Sequence, residues 1–332
     1  MRDVAYLLVS LGVILLGAEA FTNGVEWLGK RLGLGAGAVG SILAAVGTAL
    51  PETMVPLIAI VFGRGNAHAS EVGIGAILGA PFMLATLAFF VSGVAALLTR
   101  VGGSRRKFMI VDKSIIERDL RFFLISYTVA ILVSFYPAHG VKTVVALFLL
   151  ASYGLYAFQT VRDGRGVDEG DISALYLAPR SHAPATAIIL LQVFSALLLI
   201  VAGARTFVGA VENISLAYGV APFVLSLIIT PVATELPEKF NSVIWIRQGK
   251  DTLALGNITG AMVFQSSIIP AIGIMLTPWT LEPLALVSAG LALLAAAVPF
   301  WFVRTRGRLR PTQLLLGGFV YLIFLFAVFW VH

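Results

Sequence analysis

Long apolar stretches alternate with short polar segments along almost the whole chain of 332 residues. A helix that crosses a membrane needs about 20 mostly apolar residues. Ten stretches meet that length and are predicted to be transmembrane helices: 4–29, 36–63, 71–98, 122–138, 141–160, 184–211, 217–246, 252–275, 281–303 and 312–331. The pattern therefore predicts an all-α integral membrane protein.

The composition supports the same class of protein. Hydrophobic residues make up 59% of the chain, charged residues make up 12%, and the mean hydropathy is +0.96. Soluble domains carry about 25% charged residues, so this chain is too poor in charge to be a cytosolic enzyme or an extracellular module. It contains no cysteine, which excludes disulfides, thiolate metal sites and cysteine nucleophiles.

The basic residues mark one side of the membrane. Of the 23 Lys and Arg residues, 18 fall in the loops that follow the odd-numbered predicted helices. Because basic loops stay in the cytoplasm, we expect a multi-pass plasma-membrane protein with both termini outside. The run Arg100, Arg105, Arg106 and Lys107 then faces anionic lipid rather than nucleic acid. The expected partners are the lipid bilayer and inorganic cations, and the oligomeric state stays open.

The two halves of the chain resemble each other. GAEAFTNGVEW from Gly17 matches GARTFVGAVEN from Gly203, and GTALPET from Gly47 matches ATELPEK from Ala233. Both pairs have the same separation along the chain, which is called the repeat offset below. A third pair, GAILGA from Gly75 and GNITGA from Gly256, has a slightly shorter separation. These matches predict an internal repeat.

The repeat predicts the organisation of the chain. Residues 1–160 form the first five-helix repeat, 161–183 a polar cytoplasmic linker, and 184–332 the second repeat, all within one membrane domain. Because five is odd, the second repeat enters the membrane upside down. Inverted repeats of this kind are typical of secondary transporters, which bind their substrate near the midplane where the repeats meet.

Three glutamates fall in the middle of predicted helices. Glu52 lies in the second helix, and Glu235 and Glu238 lie in the seventh. Buried charges are costly and usually functional. Pro51 and Pro237 each precede one of these glutamates, and a proline inside a helix removes a hydrogen-bond donor from the carbonyl four residues earlier.

The surrounding residues supply further oxygen atoms. The prolines free the carbonyls of Gly47 and Ala233, and Thr48 and Thr234 lie four residues before a glutamate. Gln265 in the eighth helix adds an amide oxygen. Such a set of oxygen ligands suits a hard divalent cation, calcium above all, and disfavours zinc and copper. Magnesium, manganese or a monovalent cation stays open as the substrate.

These motifs resemble the calcium/cation antiporter family, which includes the sodium/calcium exchangers. That family carries G-T-S-x-P-E-like motifs on its second and seventh helices and G-N-x-x-G-S-N-like motifs on its third and eighth. The resemblance implies ten helices with both termini outside, and exchange of a cation against sodium or protons by alternating access. It also implies that Glu52 and Glu238 are the paired glutamates and that Thr48 and Thr234 are the repeat threonines.

Several family ligand positions differ in this chain. The positions that depart are Ala49, Ala80, Leu84, Glu235, Ala261 and Gln265. Oxygen ligands associated with sodium are lost, and one carboxylate is gained. We therefore expect altered sodium sites, and proton coupling becomes plausible because neighbouring carboxylates favour each other's protonation.

Among the other charged residues inside predicted helices, three are candidates for charge modulation. Lys239 follows Glu238 and either offsets the extra carboxylate or snorkels away from the site. Glu19 and Arg205 occupy equivalent positions in the two repeats, in the first and sixth helices. The resemblance implies that these helices slide as a gating pair, so both charges are candidate modulators of that motion.

The leading functional hypothesis is a secondary antiporter that is not an enzyme and needs no cofactor. The alternative from another class is a membrane sensor or scaffold with a decayed site. The retained prolines and glutamates argue against this alternative. A membrane hydrolase is a weaker alternative, because the H-E-x-x-H and G-x-S-x-G motifs are missing from the sequence.

Overall fold

The computed structural model describes residues 2–32, 49–63, 66–101, 104–105, 107–162, 173–181 and 183–331. Most of these residues are helical. The helices are α1 Arg2–Arg31, α2 Leu50–Phe62, α3 Ala67–Met83, α4 Phe89–Leu98, α5 Lys113–Leu132, α6 His139–Arg162, α7 Thr186–Tyr218, α8 Pro222–Thr234, α9 Leu236–Arg247, α10 Asp251–Leu276, α11 Pro283–Arg306, α12 Pro311–Leu314 and α13 Leu316–Val331. A π-helical segment, Leu84–Ala88, joins α3 to α4, and a 3₁₀ turn, Val133–Phe135, follows α5. Two short antiparallel strands, β1 Arg100–Val101 and β2 Ser104–Arg105, lie between α4 and α5.

Seven of the described helical segments are long and apolar enough to cross a membrane. They are Arg2–Arg31, Ala67–Leu98, His139–Thr160, Thr186–Tyr218, Asp251–Leu276, Pro283–Arg306 and Pro311–Val328. Two shorter apolar helices, Pro51–Phe62 and Pro222–Val232, fall within the predicted second and seventh spans. The all-helical class is therefore confirmed, and the count of ten spans stays a prediction.

The described chain divides into two compact units. The first contains Met1–Val72 and Gly154–Pro222, and the second contains Gly73–Tyr153 and Phe223–His332. Each unit therefore draws helices from both halves of the sequence.

Within the first unit, α1 and α7 pack along each other in a reciprocal manner. A Cβ atom added to Gly17 would lie 2.8 Å from Ile200 Cγ1, and one added to Gly203 would lie 2.8 Å from Ile14 Cγ1. Gly17 with Gly203 and Ile14 with Ile200 are both pairs at the repeat offset. A Cβ added to Gly24 would meet Val193, so the two helices run antiparallel. The contacts between α1 and α7 therefore follow the same repeat offset as the sequence.

The repeat offset also relates two helix starts. Helix α2 begins at Leu50 and α9 begins at Leu236, which are again equivalent positions of the two repeats. Both helices carry proline at the first or second position, where a missing amide hydrogen does no harm. The predicted seventh span is accordingly interrupted between α8 and α9.

Within the second unit, α3 lies directly against α8. A Cβ added to Gly75 would overlap the Phe223 carbonyl oxygen, and one added to Gly79 would overlap that of Leu227. Only glycine permits this approach, so these two residues serve close helix packing. A Cβ added to Gly256, which matches Gly75 in the third repeat pair, would make only an ordinary contact, 3.9 Å from Ile115 Cγ2.

The loop after α10 is a buried corner in the same unit. Trp279 has a φ of +48° and is fully buried, and its indole Nε1 donates to the Ala130 carbonyl at 2.8 Å. Lys142 is also buried and donates to the Pro278 carbonyl. This corner fixes the end of the helix that carries Gln265.

Candidate cation-binding site

Glu52 lies at the beginning of α2 in the first unit. Glu52 is 6% exposed, and Ala49 is the N-cap of α2. The Thr53 hydroxyl donates to the Ala49 carbonyl at 2.5 Å. The first turn of a helix carries the positive end of the helix dipole, which stabilises a carboxylate there. The sequence thus places a buried acid where the helix itself favours its charge.

Glu235 lies at the break between α8 and α9 in the second unit. It has φ −101° and ψ −31°, and it is 1% exposed. Its backbone amide donates to the Pro231 carbonyl at 2.9 Å. Two residues on, Pro237 has no amide hydrogen to offer the Ala233 carbonyl. The interruption therefore brings a buried carboxylate together with a carbonyl that lacks its helical donor.

A column of hydroxyl groups leads along α8 to this break. Ser226, Thr230 and Thr234 are at most 1% exposed and follow one another at intervals of four residues. The hydroxyls of Ser226 and Thr230 are 3.1 Å apart, and the Thr234 hydroxyl donates to the Thr230 carbonyl at 2.9 Å. A hydroxyl that donates in this way keeps its lone pairs for a cation.

Gln265 lies in α10, also in the second unit. It is 1% exposed, and within the part of the chain that the structure describes its amide oxygen and nitrogen have no hydrogen-bond partner. Buried polar groups are nearly always hydrogen-bonded, so an orphaned amide calls for an explanation such as an ion. Gln265 therefore fits the role of an oxygen ligand.

The remaining predicted ligands are only partly described. Gly47 and Thr48 lie outside the described residues. Glu238 and Lys239 lie in α9, and Ala233 lies in α8. The structure describes the backbone of these three residues but not their side chains. Among the described His, Asp and Glu residues, no group of three or more could hold a metal ion.

Glu19 and Arg205 are both exposed and have different partners. The Tyr176 hydroxyl donates to Glu19 Oε1 at 2.7 Å, and the Arg205 guanidinium lies 3.7 Å from the centre of the Phe62 ring. The hydrogen bond to the Glu19 carboxylate, together with burial, raises the pKa of Tyr176 above its usual value. These contacts do not pair the two charges with each other.

The structure contains two buried polar clusters that are not predicted from the sequence. In the first unit, Gln192 donates to the Asn23 side chain and the Ala20 carbonyl, both at 2.9 Å, and accepts from the Leu177 amide at 3.0 Å. Trp27 donates to the Ser173 carbonyl at 2.9 Å. These bonds fasten the segment 173–181 onto α1 and α7.

The second cluster ties α5 to α10 in the second unit. Asp119 is 1% exposed, accepts from the Thr259 hydroxyl at 2.8 Å, and lies 3.4 Å from Arg118. Asp119, Phe123 and Tyr127 follow one another at intervals of four residues, so they share one helix face, and Phe123 and Tyr127 are also buried. This spacing is the sequence feature that indicates the burial of Asp119.

Two helix starts related by the repeat offset, each with a buried acid beside it in a chain of apolar helices, are typical of a membrane transporter. A profile described as "Sodium/calcium exchanger protein" matches residues 3–161 and 188–331. The chain belongs to this family.

Relatives and solved structures agree with that assignment. The chain is 24% identical to the Inner membrane protein YrbG of Escherichia coli (strain K12), over 98% of this chain and 96% of that protein. It is 25% identical to the Putative antiporter CaxA of Alkalimonas amylolytica, over 97% and 99%. The fold is similar to the crystal structure of the H+/Ca2+ Exchanger CAX, with a TM-score of 0.75 and 14% identity over 98% of this chain and 82% of that one. It is also similar to the sodium-calcium exchanger NCX_Mj, with a TM-score of 0.56 and 20% identity over 97% and 96%.

Proposed function

We propose that this protein is a secondary active antiporter that exchanges a divalent cation, with calcium as the favoured ion, for sodium or protons by alternating access. It has ten transmembrane helices in two inverted five-helix repeats, with both termini outside. Its partners are the lipid bilayer and inorganic cations, without nucleic acid and without a cofactor. Membership of the exchanger family supports the antiport of cations.

One observation carries the proposal. In both repeats a helix begins at a leucine followed by a proline and an acid, at Leu50 and Leu236. Glu52 and Glu235 are buried beside these starts. Helix ends and interrupted helices inside a transporter are the places where cations bind, because carbonyls and carboxylates become available there. Carboxylate, hydroxyl, amide and carbonyl oxygens are all ligands that calcium accepts in proteins.

The residues at the family ligand positions bear on the identity of the counter-ion. The position of the family serine is Glu235 in the second repeat and Ala49 in the first. Fewer neutral oxygens and one more acid than in the family pattern support protons beside sodium as the exchanged ion, since clustered carboxylates favour each other's protonation. Both sodium and protons therefore stay in the proposal as counter-ions, and separate gradients distinguish them.

The test is ion flux in proteoliposomes. Sodium and proton gradients are imposed separately, and uptake is compared across calcium, magnesium and manganese. Glu52→Gln and Glu238→Gln should each lose exchange while the purified variants still unfold at the wild-type temperature. Glu117→Gln is the matched control, because Glu117 pairs with Lys113 outside the proposed site and should keep its flux. Wild-type exchange in both site variants would refute the assignment, and no gradient-driven flux of any ion would favour a sensor or scaffold.

A further inference from the structure

Two loops of the second unit are joined by a backbone bridge. The Met109 amide donates to the Leu309 carbonyl at 2.9 Å, and the two residues form an isolated antiparallel pair. Met109 is 4% exposed and Leu309 is fully buried. Because side chains alternate along extended chains, the neighbours of both residues point away from the core.

These outward side chains combine aromatic, aliphatic and basic groups. Phe108 is 36% exposed and Ile110 is 68% exposed, and Arg308 and Arg310 are exposed as well. The two guanidinium groups lie 5.5 and 5.3 Å from the centre of the Phe108 ring. Phe108, Ile110, Arg308 and Arg310 together are called the basic platform below.

The basic platform is held in place from a second direction. The Ile110 amide donates to Asp251 Oδ2 at 2.7 Å, and the Thr252 hydroxyl donates to the Ile110 carbonyl at 3.2 Å. Asp251 is 1% exposed, so this anchor is buried beneath the surface. The arginines are thus presented on a fixed backbone, which lowers the entropy lost when they bind a ligand.

The described acids of this region bind the Ile110 backbone amide or groups outside the platform. The ion pairs described in this region join Lys113 to Glu117 and Arg118 to Asp119, and neither involves the platform. Two further arginines, Arg304 and Arg306, lie close by in the last turn of α11. The surface therefore combines a surplus of positive charge with exposed apolar groups beside the membrane-spanning helices.

We propose that the basic platform binds an anionic phospholipid of the cytoplasmic leaflet. The paired guanidinium groups hold the phosphate, for which the arginine fork is suited, and Phe108 and Ile110 contact the glycerol and upper acyl region. The cytoplasmic location rests on the proposed topology, whereas the binding chemistry does not. The platform differs from the cation site in its residues and its ligand.

The test measures lipid binding without any ion gradient, so its outcome is independent of transport. Purified protein in neutral detergent is titrated with phosphatidylglycerol, and the rise in unfolding temperature gives the apparent affinity. Arg308→Gln/Arg310→Gln should weaken binding about 25-fold, since each arginine near an anionic surface contributes roughly a fivefold effect. The matched control is Arg162→Gln/Arg180→Gln, which removes two exposed arginines of the first unit and should leave the affinity unchanged.

Further variants and ligands distinguish specific lipid binding from diffuse charge attraction and from binding of a free phosphate. Arg308→Lys/Arg310→Lys keeps the charge without the planar fork and should bind with intermediate affinity. Phosphatidylcholine and soluble glycerol phosphate should not raise the unfolding temperature. Equal losses in the Gln pair and the matched control would show only diffuse charge attraction and overturn the proposal. An equal shift with glycerol phosphate would overturn the lipid as the occupant.

Discussion

The close contact between α1 and α7 predicts how single methyl groups should affect stability. In Gly17→Ala the new Cβ would lie 2.8 Å from Ile200 Cγ1 and 3.2 Å from the Ala196 carbonyl oxygen. Carbon atoms pack best at roughly 3.5–4.0 Å. The carbonyl belongs to the helix backbone, so relief requires the whole helix to move. Overpacking of this kind costs about 1–3 kcal/mol.

The repeat supplies a second, equivalent test. In Gly203→Ala the new Cβ would lie 2.8 Å from Ile14 Cγ1 and 3.1 Å from the Ser10 carbonyl oxygen. The two substitutions should therefore lower the free energy of unfolding by similar amounts. Thermal or denaturant unfolding in detergent, followed by circular dichroism, measures both.

The same helices contain matched controls. A Cβ added to Gly12 or Gly209 would meet no atom within 4 Å. Alanine at these positions should be neutral or stabilising, by up to about 1 kcal/mol, because alanine favours the helix over glycine. The reasoning is refuted if Gly17→Ala and Gly203→Ala behave like these controls. A large effect in only one of them would refute the reciprocal contact.

A compensating change isolates the clash itself. Ile200→Ala alone leaves a cavity, but combined with Gly17→Ala it removes the atom that the new methyl group meets. The double variant should be more stable than the sum of the single effects predicts, with a coupling of about 0.5–3 kcal/mol. Simple additivity would show that Ile200 is not the obstacle.

Three further substitutions test other parts of the protein. Glu235→Ser restores the family serine and should change ion preference in competitive flux assays; an unchanged preference would show that Glu235 does not select the ion. Thr259→Val removes the donor 2.8 Å from Asp119 and should lower the free energy of unfolding by about 1–3 kcal/mol in a denaturant titration; a wild-type midpoint would contradict the importance of this bond. Gln192→Leu removes the bond from the Leu177 amide, one of those that fasten 173–181, and should speed tryptic cleavage after Arg180; an unchanged rate would mean that other contacts hold the segment.

The sequence predicts features that depend on local chemistry. Pro51 and Pro237 are predicted to disturb their helices because proline cannot donate inside a helix, and α2 and α9 begin one residue before them. Gly75 signals close packing for a similar local reason, the absence of a Cβ atom. Each of these properties belongs to the residue itself and needs no knowledge of the partner.

Features that depend on distant partners are not predictable in this way. Gln192 and Asn23 are 169 residues apart in the chain, and nothing in either local sequence names the other. Asp119 lies in the charge-rich segment 117–121, so hydropathy places the start of the fourth span after it, although α5 begins at Lys113. The π-helical segment at Leu84–Ala88 carries no proline or glycine, and α13 packs against it through Gly317, whose added Cβ would overlap the Thr86 carbonyl oxygen.

The bonds of Gln192 also break the symmetry of the α1–α7 pair. At the repeat offset the counterpart of Asn23 is Gly209, which has no side chain to form the same bond, and the counterpart of Gln192 is Tyr6. In the proposed alternating-access cycle, two identical inverted halves would give the inward-facing and outward-facing states equal free energies. Each buried hydrogen bond found in only one half contributes about 0.5–1.5 kcal/mol, and about 1.4 kcal/mol changes a population ratio roughly tenfold. If these bonds differ between the two states, this one polar cluster is sufficient to make one of them dominant in the absence of ions.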